Sequence, residues 1–327
     1  MPKPSRHILF IPAILCLLIS FTGFASPIKK EPPVKFPVIT LQTLPGADSL
    51  SCIIPFSRAG NLILIKAKAD TTVGNFILDS GAPNLVLNLT YFRDYPTTHF
   101  SDGEQTNITG STAPMLKTMV SKFELGTLSY SRLDADLANL GHLENTKRVK
   151  ILGLLGMELF RQCEMIIDYE KSLIYLHRIG RKEASSYQSP QLSNTADYSV
   201  MPIELKDNRI ITRIELGGKK LRFIIDCGAE SNVLDSRLPN AVFSKVTITG
   251  RVMLTGAGNK KVEALHGNLK DMMVGGQVIG SLPVLVTNLE KTCFAYSGCV
   301  DGILGFDFLS LHKIGFNFVT RKMYIWK

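Results

Sequence analysis

The chain has 327 residues, of which 45% are hydrophobic and 20% charged, and its formal net charge is +9. That composition excludes a disordered or low-complexity chain, and the length suffices for two lobes, each with its own core. The bases fall in scattered pairs (Lys147-Arg148, Lys219-Lys220, Lys260-Lys261) with no stripe of bases among aromatics, so the charge reads as solvated surface and no nucleic-acid partner is expected.

Residues 1–25 read as an export signal. Lys3 and Arg6 precede the apolar run Ile8 to Phe24, and Gly23 and Ala25 supply small residues for cleavage. The expected location is periplasmic or extracellular, with no stable membrane insertion after cleavage and a membrane anchor if the signal is kept. Residues 26–48 contain Pro27, Pro32, Pro33, Pro37 and Pro45 and read as an extended arm, either a tether or an activation segment.

Residues 49–178 form a first lobe. Leu62 to Ile65 and Phe76 to Leu78 are strand-like, with the joining turn expected at Thr72-Val73-Gly74. A short helix is expected from Met157 to Gln162. Residues 179–197, rich in Ser, Gln and Asn, are a linker. Residues 198–327 form a second lobe, with strands at Ile210 to Ile214 and Phe223 to Ile225, a turn at Gly217-Gly218, and a short helix from Phe306 to His312. Many short strands between Gly and Asn turns indicate an all-β sandwich or barrel.

The two lobes repeat one another. Phe76-Ile77-Leu78-Asp79-Ser80-Gly81-Ala82 returns as Phe223-Ile224-Ile225-Asp226-Cys227-Gly228-Ala229. At the same spacing Pro55 falls on Pro202, Asn61 on Asn208, Val86 on Val233 and Leu87 on Leu234. With small drifts, Thr109-Gly110 falls on Thr255-Gly256, and Leu154-Leu155-Gly156-Met157-Glu158 falls on Ile303-Leu304-Gly305-Phe306-Asp307. Ile167-Asp168-Tyr169 falls on Phe316-Asn317-Phe318. Small drifts suit insertions in surface loops. Two such phrases, one per half, imply two aspartates that meet.

Cys16 lies in the signal, so five cysteines remain. Cys293 and Cys299 are near enough in sequence to close a small loop, Cys52 with Cys163 is a second option, and Cys227 is the odd thiol. No Cys-x-x-Cys or His-Glu-x-x-His spacing is present, so neither metal nor cofactor is expected.

Both loop phrases, together with Ile151-Leu152-Gly153-Leu154-Leu155-Gly156 and Gly302-Ile303-Leu304-Gly305, resemble the aspartic protease superfamily and its retropepsin-type branch. The resemblance covers nearly the whole chain after residue 25. It implies an all-β, bilobal acid-protease fold: two similar β-barrel-like lobes with short helices, facing a central cleft. It implies an aspartic endopeptidase with Asp79 and Asp226 as catalytic residues, supported by Ser80, Gly81, Ala82, Cys227, Gly228 and Ala229. It also implies a peptide or protein substrate, and a flap between the two motifs of a lobe, with Thr106 to Thr118 and Thr255 to Leu265 as candidates. Both halves of the site lie in one chain, so a monomer is expected.

The chemistry follows from the residue types. Two adjacent carboxylates cannot both ionise, so one can accept a proton from water while the other donates one. Nothing in the sequence says which aspartate keeps the proton. Cys227 departs from the resemblance, because a hydroxyl is expected after each aspartate and a thiol is a weaker donor. An inactive or weakly active peptide-binding protein on the same scaffold is therefore the competing reading. A Cys227–His266 nucleophile pair is the least favoured one.

Overall fold

The computed structural model describes residues 50–106, 112–255, 261–290, 293 and 298–327. The expected signal, the proline-rich arm and the tips of both expected flaps lie outside the described residues.

Each half builds one eight-stranded sheet, and the two sheets share one strand order. In the first, Ser57–Ala59, Leu62–Ala69, Thr72–Leu78, Gly153–Leu155, Leu85–Asn88, Leu128–Ala138, Thr112–Leu125 and Thr98–Thr106 lie side by side. In the second the row is Glu204–Lys206, Arg209–Leu216, Lys219–Ile225, Gly302–Leu304, Asn232–Asp235, Gln277–Thr287, Lys261–Val274 and Val246–Thr255. Lys68 and Ala69 also pair with Glu124 and Phe123, and Glu215 with Met273. Those extra pairings roll each sheet toward closure, which gives the barrel-like lobes expected.

Turn chemistry sets the hairpins. Gly275 and Gly276 join two long strands of the second lobe with φ of 58° and 79°, the positive pair that a tight hairpin of this kind requires. Gly217 and Gly218 do the same before the strand that leads to Asp226. In the first lobe the corresponding turn is Asp70-Thr71, with Asp70 at φ 52°, and Thr72-Val73-Gly74 opens the strand instead of turning. An Asp tolerates the left-handed region, so no glycine marked the turn.

A third sheet belongs to both halves. Its order is Ser51–Pro55, Leu173–Arg178, Cys163–Asp168, Ile314–Asn317, Lys322–Trp326 and Tyr198–Pro202. The halves join at the centre, where Met165 faces Phe316 and Ile166 faces Gly315 in antiparallel register. The repeated closing segments noted in the sequence supply these two central strands. One continuous apolar core links Phe76, Phe123 and Phe160 of the first lobe to Phe223, Phe308 and Phe316 of the second.

Both expected short helices are single turns. Met157–Phe160 is a 3-10 turn and Phe306–Leu309 one α-turn. The shared-sheet strands that begin at Cys163 and Ile314 take up the chain soon afterwards, so longer helices have no room. Cys293 and Cys299 are disulfide-bonded, whereas Cys52, Cys163 and Cys227 are free and buried, so Cys52 and Cys163 are not bridged. Among the described residues, no helix is long and apolar enough to cross a membrane.

Candidate active site

The strand Thr72–Leu78 delivers Asp79 and the strand Lys219–Ile225 delivers Asp226. Each runs parallel to an apolar-apolar-Gly motif: Phe76 lies beside Gly153 and Leu78 beside Leu155, as Phe223 lies beside Gly302 and Ile225 beside Leu304. The ladder extends one step into each loop. The Asp79 N–H donates to the Leu155 carbonyl at 3.1 Å, and the Asp226 N–H to the Leu304 carbonyl at 2.9 Å. The loops then turn back, with Ala82 N–H on the Asp79 carbonyl (3.2 Å) and Ala229 N–H on the Asp226 carbonyl (3.1 Å). Two unrelated stretches thus fix the backbone of each aspartate, which is what the repeated second motif is for.

The loops meet across the lobes. Ser80 Oγ accepts from the Cys227 N–H at 2.9 Å and donates to the Ile225 carbonyl at 2.8 Å. Cys227 Sγ mirrors it, accepting from the Ser80 N–H at 3.3 Å and donating to the Leu78 carbonyl at 3.4 Å. Cys227 therefore fills the hydroxyl's place in a complete crossed frame, with the longer reach of sulfur. Burial pushes its thiol up to about 12, so it stays a neutral donor.

All eight residues of the two phrases from Asp79 to Ala82 and Asp226 to Ala229 are buried, the aspartates at 0% exposure. Asp79 Oδ1 accepts from the N–H groups of Gly81 (2.9 Å) and Ala82 (3.1 Å). Asp226 Oδ1 accepts from the Gly228 N–H at 2.9 Å, and the Gly81 N–H and the Asp79 carboxyl also bear on the Asp226 carboxyl. A Cβ added at Gly228 would stand 2.5 Å from Asp79 Oδ1, so the first carboxylate rests directly on the second loop and only glycine permits it. Asp226 is held well above the ordinary carboxylate range, first by burial and then by the charge and hydrogen-bonding contact of Asp79. The arrangement can hold one proton between two carboxylates.

Arg209, Glu230 and Lys147, which sequence reasoning did not single out for the site, brace this frame together with Asn61. Arg209, fully buried, donates from Nε to the Gly81 carbonyl at 2.9 Å. Glu230, directly after the second phrase, pairs with Lys147 of the first lobe and accepts from the Asn61 N–H at 3.2 Å. Asn61 Nδ2 also donates to the Glu230 carbonyl at 3.2 Å. The repeat match of Asn61 with Asn208 was the available signal: Asn61 itself reaches the second loop, and Asn208 precedes Arg209, which reaches the first.

The other acids act locally. Asp168 accepts from the Lys171 N–H and Asp301 from the Arg222 N–H, each holding a turn or strand edge. His266 Nδ1 bonds Thr249 Oγ1 at 2.8 Å, and Cys227 bonds the first loop, so those two do not form a nucleophile pair. Among the described residues, no three His, Cys, Asp or Glu side chains gather as a metal would require. A separate pocket at the lobe junction, lined by Arg161, Leu205, Phe318 and Arg321 among others, includes neither aspartate.

Residues 212–308 match the model of the aspartyl protease family. The second lobe is thus similar to that family. The match falls on the second lobe and includes both Asp226-Cys227-Gly228-Ala229 and Gly302-Ile303-Leu304-Gly305. Two solved structures align with this chain over most of its length. An aspartic proteinase from Irpex lacteus is 12% identical, with 85% of this chain and 97% of that chain covered and a TM-score of 0.47. Basic 7S globulin from soybean is 10% identical, with 85% and 94% covered and a TM-score of 0.43. No curated protein sequence matches the chain.

Proposed function

We propose that this chain is an exported aspartic endopeptidase, active as a monomer, that hydrolyses peptide bonds of extended peptide or protein substrates. The observation that carries the reading is the crossed pair of loops, which sets the Asp79 carboxylate against the second loop beside Asp226, whose carboxyl is held above the ordinary range by burial and by Asp79. The ionised carboxylate takes a proton from water, the protonated one donates to the scissile carbonyl oxygen, and no acyl-enzyme forms. The paired strands Thr98–Thr106 with Thr112–Leu125, and Val246–Thr255 with Lys261–Val274, are hairpins suited to cover a bound peptide.

The second reading, a scaffold that binds peptide without cleaving it, rests on the sulfur in the frame, since a thiol donates weakly. The completed set of crossed bonds around Cys227 favours the enzyme. Pepstatin-sensitive cleavage of unfolded protein in mildly acid buffer, lost in Asp79→Asn and in Asp226→Asn, is the expected result. Wild type that binds peptide yet stays as inert as both variants from pH 3 to 7 would leave the binding reading standing.

A further inference from the structure

We propose that Arg209 is a positioning residue that biases the dyad's shared proton toward Asp226, acting through the single peptide group between Gly81 and Ala82. The inference deepens the function above and rests on Asp79 and Asp226 being a proton-sharing pair.

The geometry is a short relay. The carbonyl of that peptide accepts from Arg209 Nε at 2.9 Å, and its N–H donates to Asp79 Oδ1 at 3.1 Å. A cation at one end of an amide and a carboxylate at the other polarise it in the same sense, which strengthens both bonds. Arg209 is fully buried, so water does not screen its charge as it would at the surface. A stronger donor to the ionised carboxylate favours ionisation of Asp79.

The second loop lacks the relay. Leu62, the repeat counterpart of Arg209, carries no charge. Ala82 N–H bonds both the carbonyl and the carboxylate of Asp79, whereas the Ala229 N–H bonds only the backbone carbonyl of Asp226, and the Asp226 carboxyl takes its N–H contacts from Gly228 and Gly81. Among the described residues, the other charged or titratable neighbours are paired, neutral or further out. Lys147 is matched by Glu230 at the shoulder of the second loop, and Asp307 lies further out against Ser231. Cys227 and, behind it, Tyr169 are held neutral by burial, and Arg58 stacks over Phe306. The proton therefore resides on Asp226.

The test needs no turnover. Side-chain carboxyl carbons of Asp79 and Asp226 are followed by NMR against pH in the full chain, in wild type, Arg209→Gln and Arg209→Lys. In wild type, Asp79 should ionise at the lower pH. The gap between the two should close by about one pH unit in Arg209→Gln and persist in large part in Arg209→Lys. A folded Arg209→Gln protein with an unchanged gap overturns the proposal. If the glutamine variant does not fold, the wild-type order decides: Asp226 ionising first overturns the proposal, and Asp79 first supports it. A wild type that shows the expected split but cleaves nothing would count against the endopeptidase and not against Arg209.

Discussion

The first and second aspartate loops share a backbone and differ in what surrounds it. Each aspartate is anchored to a carbonyl of an apolar-apolar-Gly strand, and each loop lends one side chain to the crossed frame. Around that common skeleton the first loop has Ser80, Pro83 and a buried arginine on its Gly81 carbonyl, whereas the second has Cys227, Glu230 and an ion pair to the opposite lobe. Duplication therefore kept the geometry that brings the carboxylates together and let their electrostatic settings diverge. Two identical carboxylates would share a proton evenly, and acid–base work gains from one that holds it and one that does not.

The most severe way to probe the comparison is to delete one carboxylate at a time. Asp79→Asn and Asp226→Asn should each lower peptide cleavage by at least about 100-fold, because each removes one half of the proton transfer. Their stabilities should diverge. The folded-state value of Asp226 lies above its unfolded value, so its contribution is fully present below the ordinary aspartate range and is lost as pH rises through the raised value. Asp226→Asn removes the cost of ionising a buried group and should raise Tm at pH 7, by roughly 2–4 °C for each kcal/mol relieved, with little gain near pH 3. A Tm gain equal at both pH values would show that Asp226 is not the strained member.

The next largest effect tests the unequal shoulders. Glu230 and Lys147 are both largely buried, and Glu230 also takes the Asn61 N–H. Glu230→Ala leaves an ammonium group without its anion at the lobe boundary, so urea unfolding should show a loss of about 3 kcal/mol. Pro83, at the matching position of the first loop, has no charge to lose, and Pro83→Ala should cost far less. Equal losses would mean that the lobes are held by the shared sheet alone.

How much of this was legible depends on whether a residue acts through its backbone or through a distant partner. The two Asp-x-Gly-Ala phrases and their glycine-ended companions are local patterns with a strand before each, so the bilobal plan and the meeting of the two aspartate loops could be read directly. Cys227 stood out because its counterpart is Ser80. Arg209 and Glu230 did not, since their partners lie 128 and 83 residues away and nothing in the spacing announces them. The shared six-stranded sheet was hidden for a similar reason. Its strands repeat in sequence, but repetition does not say that Cys163–Asp168 and Ile314–Asn317 will pair with each other. Asp70 took a left-handed turn where a glycine was looked for, a choice that side-chain chemistry permits and pattern does not reveal.

The smallest effect belongs to the one place where the crossed frame itself is unequal. Cys227 Sγ donates to Leu78 at 3.4 Å where Ser80 Oγ donates to Ile225 at 2.8 Å. Cys227→Ser replaces a weak donor with a strong one but shortens the side chain's reach, because a hydroxyl oxygen must come closer than sulfur to bond. If the loops can close that gap, the second half of the frame tightens and stability rises by about 0.5–1 kcal/mol, with cleavage retained or increased. If the gap is held open by the Gly228 contact with Asp79, the hydroxyl is left buried and poorly satisfied, and stability falls by a similar amount. Chemical unfolding of the serine variant separates the two. A rise would mean the second loop tolerates sulfur without depending on it, and a fall would mean that the spacing between the loops is set to the thiol.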